Sequence, residues 1–344
     1  MSIGVLDLEV HLPPLRASVD DLLVECGINP ASRKVFRKLF NLHQVAVAPP
    51  EQGLVDLLLA AGRGLLDRVD PAEIGLVLYG HTNLYPGPEQ DPVIPRVLAG
   101  LGLDRVPMYG VSQIACTSVL RSVDLAGRFL ARRPDRRAVL VLGGDHSGLD
   151  PRFRIIPGMT VTGDGAVALL VRAEDEQTRY RWLGSATVRD TRFHRGSRMT
   201  QEDLKEFTGL STLMVTEAVD AALKDAGLDR RELDLVLPHS SNAMLWRAWS
   251  RQSGFPLESI YLDLMPKLGH TVGTDALICL AHAVATGRIG AGQRCALVSV
   301  GQGAYVHVAV VEIARVDPPQ VRAAAVFDVD GAGRPVAAPL PERM

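Results

Sequence analysis

The sequence contains an internal repeat, which restricts the fold more than any other feature. Segment 70–81 (DPAEIGLVLYGH) is echoed by segment 229–239 (DRRELDLVLPH), and the apolar run 139–143 (VLVLG) by 297–301 (LVSVG). Both pairs are about 158 residues apart and occur in the same order. A match in order and spacing indicates two copies of one α/β unit. Strands that alternate with helices of this length favour mostly parallel sheets covered by helices.

Length and composition exclude several classes of protein. The 344 residues can bury one large core or two halves of ordinary size. A net charge of −2 gives no sign of a nucleic-acid partner, and no apolar run of membrane-spanning length occurs. The first residues resemble a strand rather than a signal peptide. The four cysteines (Cys26, Cys116, Cys279, Cys295) are scattered without a CxxC pair, which disfavours disulfides and a zinc site and fits a reducing cytoplasm.

Cys116 lies at a predicted junction between a strand and a helix. Segment 106–114 is predicted to be a buried strand, and apolar residues recur at helical spacing over 119–130. A cysteine just before a helix N-terminus meets unpaired amides and the positive end of the helix dipole, which favour the nucleophilic thiolate. The alternative is that Cys116 is simply a small buried apolar side chain.

The repeat predicts which other residues approach Cys116. At the common spacing Cys116 corresponds to about Thr274, in the loop 268–275, and His239 follows the strand of the second copy. In α/β sheets the carboxyl ends of parallel strands and the following loops carry functional sites. If the two copies pack about a pseudo-twofold axis, Cys116, His239 and the loop 269–273 converge. One cysteine beside histidines is typical of covalent thioester chemistry.

Five short motifs, in this order and at fitting spacings over residues 2–315, resemble the thiolase superfamily and within it the β-ketoacyl-acyl-carrier-protein synthase III group. They are Ala115-Cys116, Gly163-Asp164-Gly165-Ala166, Pro238-His239-Ser-Ser-Asn242, Gly269-His270-Thr271 and Gly301-Gln-Gly303.

The resemblance implies an α/β, thiolase-like fold of two duplicated halves. Mixed, mostly parallel sheets would sandwich buried helices in an αβαβα arrangement. Residues 1–175 would form the N-terminal half with the nucleophilic cysteine, and residues 176–316 the C-terminal half with the histidines. Residues 317–344, rich in proline, alanine and valine, would be an extension without a counterpart in the family.

The resemblance also implies catalytic roles for three residues. Cys116 would carry the acyl group, and His239 would donate one hydrogen bond to a thioester oxyanion. His270 would donate the second, where synthase III enzymes typically have asparagine; a Cys-His-His set instead resembles the elongating synthases of the superfamily. We expect both histidines to be neutral, each with an N–H directed into the pocket.

Three further residues are implied to contact substrate. A glycine N–H of the C-terminal turn, mapped onto Gly303, would join the Cys116 N–H in binding the thioester oxyanion. Asn242 would orient the active-site loop or cap a helix. Tyr85 stands where the family places an aromatic side chain that reaches the pocket of the partner subunit, which implies a homodimer.

These observations predict a cytoplasmic acyltransferase that needs neither a cofactor nor a metal. Its substrates would be acyl-coenzyme A or acyl-carrier-protein thioesters. The family's Trp/Arg signature for coenzyme A is not recognisable around 32–45, so a carrier protein is as good a candidate donor as coenzyme A. The favoured reaction is decarboxylative condensation of acyl-Cys116 with a malonyl-type thioester, as in fatty acid or polyketide biosynthesis. One alternative is O- or N-acyl transfer without C–C bond formation. Another is a non-catalytic partner subunit, which the presence of Cys116 disfavours.

Overall fold

A computed structural model describes residues 2–83, 92–133, 138–149 and 151–316. The strands are β1 (Ile3–His11), β2 (Leu15–Ser18), β3 (Gln44–Val47), β4 (Ile74–Gly80), β5 (Met108–Val111), β6 (Ala138–Asp145), β7 (Ile155–Ile156), β8 (Thr160–Val161), β9 (Gly165–Ala173), β10 (Tyr180–Arg189), β11 (Leu235–Leu237), β12 (Arg294–Gly301) and β13 (Tyr305–Ile313). The helices are α1 (Val19–Glu25), α2 (Pro30–Lys38), α3 (Leu54–Leu66), α4 (Val93–Leu101), α5 (Ser118–Arg132), α6 (Pro151–Arg154), α7 (Gln201–Ala226), α8 (Ala243–Ser253), α9 (Met265–Leu268) and α10 (Asp275–Ala285).

Nine strands form one mixed sheet in the order β11-β12-β13-β10-β1-β9-β6-β4-β5. The pairs β11–β12, β6–β4 and β4–β5, at the two ends of the sheet, are parallel. The central pairs are antiparallel, because each half turns back from β6 to β9 or from β12 to β13. The parallel pairing indicated by the repeat therefore occurs at the two ends, from which the chain enters the loops that carry the cysteine and the histidine.

The helices pack in layers that match the predicted αβαβα arrangement. Helices α5 and α10 share one hydrophobic cluster with strands from both halves, so they form the central layer. Helices α3 and α4 cover β4, β6 and β9 from outside, and α7 and α8 cover β12 and β13. The predicted apolar face of α5, including Val119, Val123 and Leu130, is buried in the centre. Burial of two central helices holds their N-termini in fixed positions.

The two copies resemble each other most closely just before the central helices. A short 3-10 turn precedes each helix, Ala115–Thr117 before α5 and Val272–Thr274 before α10. Ala115 and Val272 open these turns with positive φ angles of 49° and 62°. Cys116 is therefore matched by Gly273, one residue before the predicted Thr274. A Cβ at Gly273 would lie 3.1 Å from the Cys116 carbonyl oxygen, so only glycine fits here without displacement.

The prediction of a buried strand over 106–114 was wrong in part. Only Met108–Val111 is a strand, and Tyr109 is 62% exposed. The reason is that β5 lies at the edge of the sheet and pairs only with β4 in the described part of the chain. The remaining residues turn the chain toward Cys116.

No helix of the described ranges is long and apolar enough to cross a membrane. Tyr85 and the extension 317–344 lie outside the described residues, and the domain boundaries at 175 and 316 remain predictions.

Candidate active site

Cys116 is held in a rigid turn at the N-terminus of α5. The Thr117 hydroxyl donates to the Ile114 carbonyl (2.6 Å), and the Ser118 hydroxyl donates to the Ala115 carbonyl (2.7 Å). From β12, the Ser299 hydroxyl donates to the carbonyl of Cys116 itself (2.7 Å). Cys116 is buried but lines a cavity, so its thiol is fixed next to the space where a substrate can bind.

His270 is brought to Cys116 by the loop between α9 and α10. Its backbone N–H donates to the Val161 carbonyl, and its carbonyl accepts from the N–H of Gly163. The Gly-Asp-Gly motif thus supports the histidine loop, and a Cβ on Gly163 would lie 2.6 Å from the Leu268 carbonyl oxygen. With the loop so placed, His270 Nε2 is 3.7 Å from Cys116 Sγ.

Asp275, the first residue of α10, lies directly behind His270. Its Oδ2 is 2.6 Å from His270 Nδ1 and accepts from the Ser240 N–H (2.6 Å). Its Oδ1 accepts from the N–H (2.7 Å) and the hydroxyl (2.8 Å) of Thr271. All its other partners are donors, so Asp275 is an ionised acceptor and His270 Nδ1 carries a proton. Burial opposes ionisation, but the charge and hydrogen bond of His270 outweigh it and lower the pKa of Asp275.

Asp275 therefore favours the cationic form of His270, whereas a neutral donor was expected from the sequence. Burial disfavours its charge, but Asp275 and the nearby Cys116 raise the pKa of His270 to about 10. A neutral His270 with its only proton on Nε2 would place the Nδ1 lone pair against the carboxylate. The cation carries both protons, so Nε2–H points at Cys116 Sγ and can donate to it.

His239, at the end of β11, packs edge-on against His270 with the ring centroids 4.4 Å apart. Its carbonyl accepts from the Trp246 indole N–H (2.8 Å), which fixes the backbone. Its Nδ1 is 3.6 Å from Asp275 Oδ2 and has no hydrogen-bond partner among the described residues. Burial and the charge of His270 lower the pKa of His239 to about 3, so His239 is neutral, as expected. The site thus holds one cationic and one neutral imidazole.

The sulfur of Cys116 and one ring nitrogen from each of His239 and His270 lie within 4.8 Å of one another. They line a cavity of about 440 Å³ whose walls are mainly apolar, contributed largely by segment 153–162, α7, α8 and the segment at the end of α2. Representative wall residues are Leu39, Phe40, Phe153, Met159, Phe207 and Met244. The cavity can therefore hold an apolar chain with one polar, reactive end at Cys116.

Asn242 lines this cavity, but the protein itself binds its side-chain amide. Its Oδ1 caps α8 by accepting from the Leu245 N–H (3.2 Å), and its Nδ2 donates to the Met159 carbonyl (3.1 Å). Asn242 thus ties the loop after His239 to the opposite wall of the cavity. This placement fits loop orientation and leaves direct contact with substrate a prediction.

The turn after β12 approaches Cys116 through different residues from the one expected. Gly301 and Gln302 line the cavity, whereas Gly303 is not among the lining residues. Gly303 has a φ of 93°, and a Cβ there would face the Tyr305 ring. By contrast, a Cβ on Gly301 would lie 3.3 Å from the Cys116 nitrogen. The backbone at 301–302 therefore lines the cavity beside Cys116, and the oxyanion role of Gly303 stays a prediction.

The C-terminal half matches the family model for 3-oxoacyl-[acyl-carrier-protein] synthase III, C-terminal, over residues 223–313. The β-ketoacyl-[acyl-carrier-protein] synthase III 2 of Streptomyces coelicolor is 28% identical over 257 residues, which cover 72% of this chain and 76% of that protein. A synthase III of Nitratidesulfovibrio vulgaris is 25% identical over 291 residues, or 76% and 85% of the two chains. The chain is an acyl-transferring enzyme similar to the synthase III group.

Solved structures show that the synthase III-like enzyme has a thiolase-like fold. ChlB3, described as an acyltransferase, superposes with a TM-score of 0.79 at 23% identity, covering 93% of this chain and all of that one. The 3-oxoacyl-(acyl carrier protein) synthase III of Pseudomonas aeruginosa gives 0.76 at 22% identity, covering 92% and 100%. Xanthomonas campestris OleA, with bound lauric acid and lauroyl-CoA, gives 0.76 at 18%, covering 91% and 99%.

Sequence reasoning missed Asp275 in the synthase III-like enzyme. An acidic residue at the start of a helix is usually explained by the helix dipole, and Asp275 is five positions from His270. The separation spans a loop, a 3-10 turn and a helix start, so no simple periodicity predicts the contact. The signal in the sequence was an acidic residue at the start of a helix that is otherwise apolar except for His282.

Gly301 provides a test of whether the backbone N–H of Cys116 must stay accessible to the substrate oxygen in the synthase III-like enzyme. In Gly301→Ala, the new Cβ would lie 2.9 Å from the Ala115 Cβ and 3.0 Å from the Ile114 oxygen, so the turn must shift. We expect the rate of Cys116 acylation to fall roughly 100-fold, the usual effect of losing one oxyanion donor. Single-turnover acylation measures this, with Gly290→Ala, where a Cβ has room, as the control. Unchanged acylation in Gly301→Ala would exclude the oxyanion role.

Proposed function

We propose that this enzyme loads an acyl group onto Cys116 and condenses it with a malonyl-type thioester, releasing carbon dioxide. The observation that carries the proposal is the placement of His270, which Asp275 holds as a cation with Nε2 3.7 Å from Cys116 Sγ. The Nε2–H of His270 can therefore donate a hydrogen bond first to the Cys116 thiolate and then to a thioester oxygen.

In the first half-reaction the Cys116 thiolate attacks the carbonyl carbon of an acyl thioester. The oxyanion that forms is stabilised by backbone N–H groups of Cys116 and the turn at 301–302. The carbonyl then re-forms, the C–S bond to the donor breaks, and the departing thiolate takes the Nε2 proton of His270. Acyl-Cys116 and a free thiol result, and His270 regains its proton from solvent.

In the second half-reaction a malonyl-type thioester loses carbon dioxide and becomes an enolate. Negative charge develops on the thioester oxygen, where His270 Nε2–H and a His239 N–H would donate. Each such donor typically lowers the barrier by about 3 kcal/mol. The enolate carbon attacks the carbonyl of acyl-Cys116, the C–S bond breaks, and the cysteine leaves as the thiolate with which the cycle began.

Helix α2 suggests how the thioester substrates are carried. Val35 and Leu39, in and just after the helix, line the cavity, while Lys34, Arg37 and Lys38 are exposed beside them. An apolar wall suits an acyl chain or an uncharged carrier arm, and the cations suit an acidic carrier protein or the phosphates of coenzyme A. The named relatives are β-ketoacyl-[acyl-carrier-protein] synthases, which supports the same substrate class. A cytoplasmic reducing environment would keep Cys116 as a free thiol.

The contact between His270 and Asp275 also supports a second candidate function, acyl transfer to an alcohol or amine. When His270 gives its Nε2 proton to the departing thiol, Nε2 has a free lone pair while Asp275 still binds Nδ1. An imidazole held in this way can take a proton from an acceptor hydroxyl or amine that attacks acyl-Cys116.

Intact-mass spectrometry with a panel of acyl thioesters tests the proposed substrate class. With each donor we expect one acyl adduct per chain. Straight-chain acyl groups and acyl groups of other shapes should both react, provided that they fit the cavity of about 440 Å³. Adding a malonyl thioester should remove the adduct and release carbon dioxide. If every acyl donor leaves the protein mass unchanged, acyl transfer through Cys116 is wrong.

We also propose that the enzyme is a homodimer joined through its first half. Strand β5 is an edge strand with Tyr109 62% exposed, and an exposed edge readily pairs with another chain. Light scattering at micromolar concentration should give about twice the chain mass of 37.1 kDa. Tyr109→Asp should shift the mass toward that of the monomer, whereas Leu213→Asp, a change to another exposed apolar residue on α7, should not. A wild-type monomer would refute this assembly.

A further inference from the structure

We propose that Cys116, His239 and His270 also form a reversible, inhibitory binding site for a borderline-soft divalent cation such as Zn²⁺. One thiolate and two imidazoles are the ligands that zinc prefers, and all three side chains are buried. Their ligand atoms come from three separate loops, so the spacing in the sequence, which disfavours a zinc site, does not reveal the cluster.

The distances suit a tetrahedral ion. Bonds of about 2.3 Å to sulfur and about 2.05 Å to nitrogen place the two ligand atoms about 3.6 Å apart at a tetrahedral angle. Cys116 Sγ and His270 Nε2 are already 3.7 Å apart. The nitrogen of His239 lies within 4.8 Å of both, so a small rotation of one ring completes three-fold ligation. The fourth position faces the cavity, where a water molecule can bind.

Asp275 completes the arrangement behind the ligands. Metal-bound histidines usually donate their second ring N–H to a carboxylate, which fixes the orientation of the ring. Asp275 Oδ2 lies 2.6 Å from Nδ1 of His270 and 3.6 Å from Nδ1 of His239. The Nδ1 of His239 is buried without a hydrogen-bond partner. Binding a metal through Nε2 would put the His239 proton on Nδ1, which faces this carboxylate, and a small rotation of the ring would bring the two within hydrogen-bond distance.

Metal binding and acylation would exclude each other. The ion takes the lone pair of Sγ that would attack the acyl thioester, and it displaces to solvent the proton held between Sγ and His270 Nε2. The inference therefore predicts loss of acylation in the presence of the ion and full recovery when a chelator removes it.

Titration of the purified full chain with ZnSO₄, followed by calorimetry in the absence of any thioester, tests this site. We expect one ion per chain and loss of that binding in Cys116→Ala and His239→Ala. The control is Cys26→Ser, which removes an exposed cysteine outside the cluster and should bind normally. With Co²⁺ as a probe, wild type and Cys26→Ser should show a sulfur-to-metal charge-transfer band that Cys116→Ala lacks.

Equal binding by wild type and Cys116→Ala, or no binding by wild type with Zn²⁺ in molar excess, would overturn the inference. Circular dichroism confirms that each variant is folded, and His239→Gln replaces His239→Ala if the smaller side chain destabilises the protein. Because no substrate is present, these results do not depend on which acyl reaction the enzyme performs.

Discussion

Replacing Cys116 with alanine is expected to abolish the acyl-enzyme and to reduce turnover by at least about 10⁴-fold, as loss of a covalent nucleophile does elsewhere. The thiol lies at the N-terminus of α5, 3.7 Å from a cationic imidazole. The other two buried cysteines lack such surroundings: burial raises the pKa of both the Cys279 and Cys295 thiols, which keeps them protonated.

Peptide mapping of the trapped acyl-enzyme should place the label on Cys116. Cys279→Ala is the matched control, because it removes a buried thiol close to the site and should keep the label and most of the activity. Full transfer activity in Cys116→Ala would show that another group carries the acyl chain.

The comparison of His270→Asn with His270→Ala should separate the two candidate reactions. Asparagine restores the amide donor that synthase III enzymes typically have at this position, so condensation should keep much of its carbon dioxide release. Alanine removes the donor, and release should fall about 100-fold or more. If His270 instead serves as a base for an alcohol or amine, both variants lose transfer while acyl-Cys116 still forms, since an amide cannot accept the proton. Asparagine and alanine variants with equally low carbon dioxide release would contradict the donor role.

The pH profile of the second half-reaction gives the same distinction. The pKa of His270 is raised to about 10 in the free enzyme, in part by Cys116, and in the acyl-enzyme Asp275 alone still raises it. The protonated donor is therefore present at neutral pH and is lost as the pH rises through this raised pKa. Condensation in the wild type should therefore decline in this range, and His270→Asn should lack the decline because its amide does not titrate. A base-catalysed transfer would instead increase as His270 loses its proton. Rates of the second half-reaction from pH 7 to 11 on pre-acylated enzyme measure this.

Much of the fold could be predicted because the duplication is visible in the sequence. The echo of 70–81 in 229–239 placed His239 at a strand end, and the apolar spacing of 119–130 placed Cys116 before a buried helix. The first inference depends on the internal repeat and the second on local periodicity, and a single sequence retains both signals. The exposure of β5 was not predicted, since whether a short apolar strand is central or lies at an edge depends on how many neighbours pair with it.

The electrostatics of the site could not be predicted in the same way. That His239 and His270 lie near Cys116 could be predicted from the sequence. Their protonation depends on Asp275, whose contacts form only when α10 packs beneath the loop. One carboxylate makes His270 a cation, while His239, 3.6 Å from the same oxygen, stays neutral because burial and the neighbouring charge dominate. The role of Gly303 could not be decided from the sequence for a related reason: a turn with two glycines offers several amides, and only the three-dimensional path shows that Gly301 and Gln302 line the cavity.

The most direct test of the account is a single-turnover chase of isolated acyl-Cys116 enzyme. The acyl-enzyme, free of donor thioester, is mixed with a malonyl thioester in the presence of a competing alcohol and amine. The account predicts that the acyl adduct disappears with release of one carbon dioxide per adduct and formation of a β-ketoacyl thioester. Transfer of the acyl group to the alcohol or amine, with no carbon dioxide released from any malonyl-type donor, would contradict it.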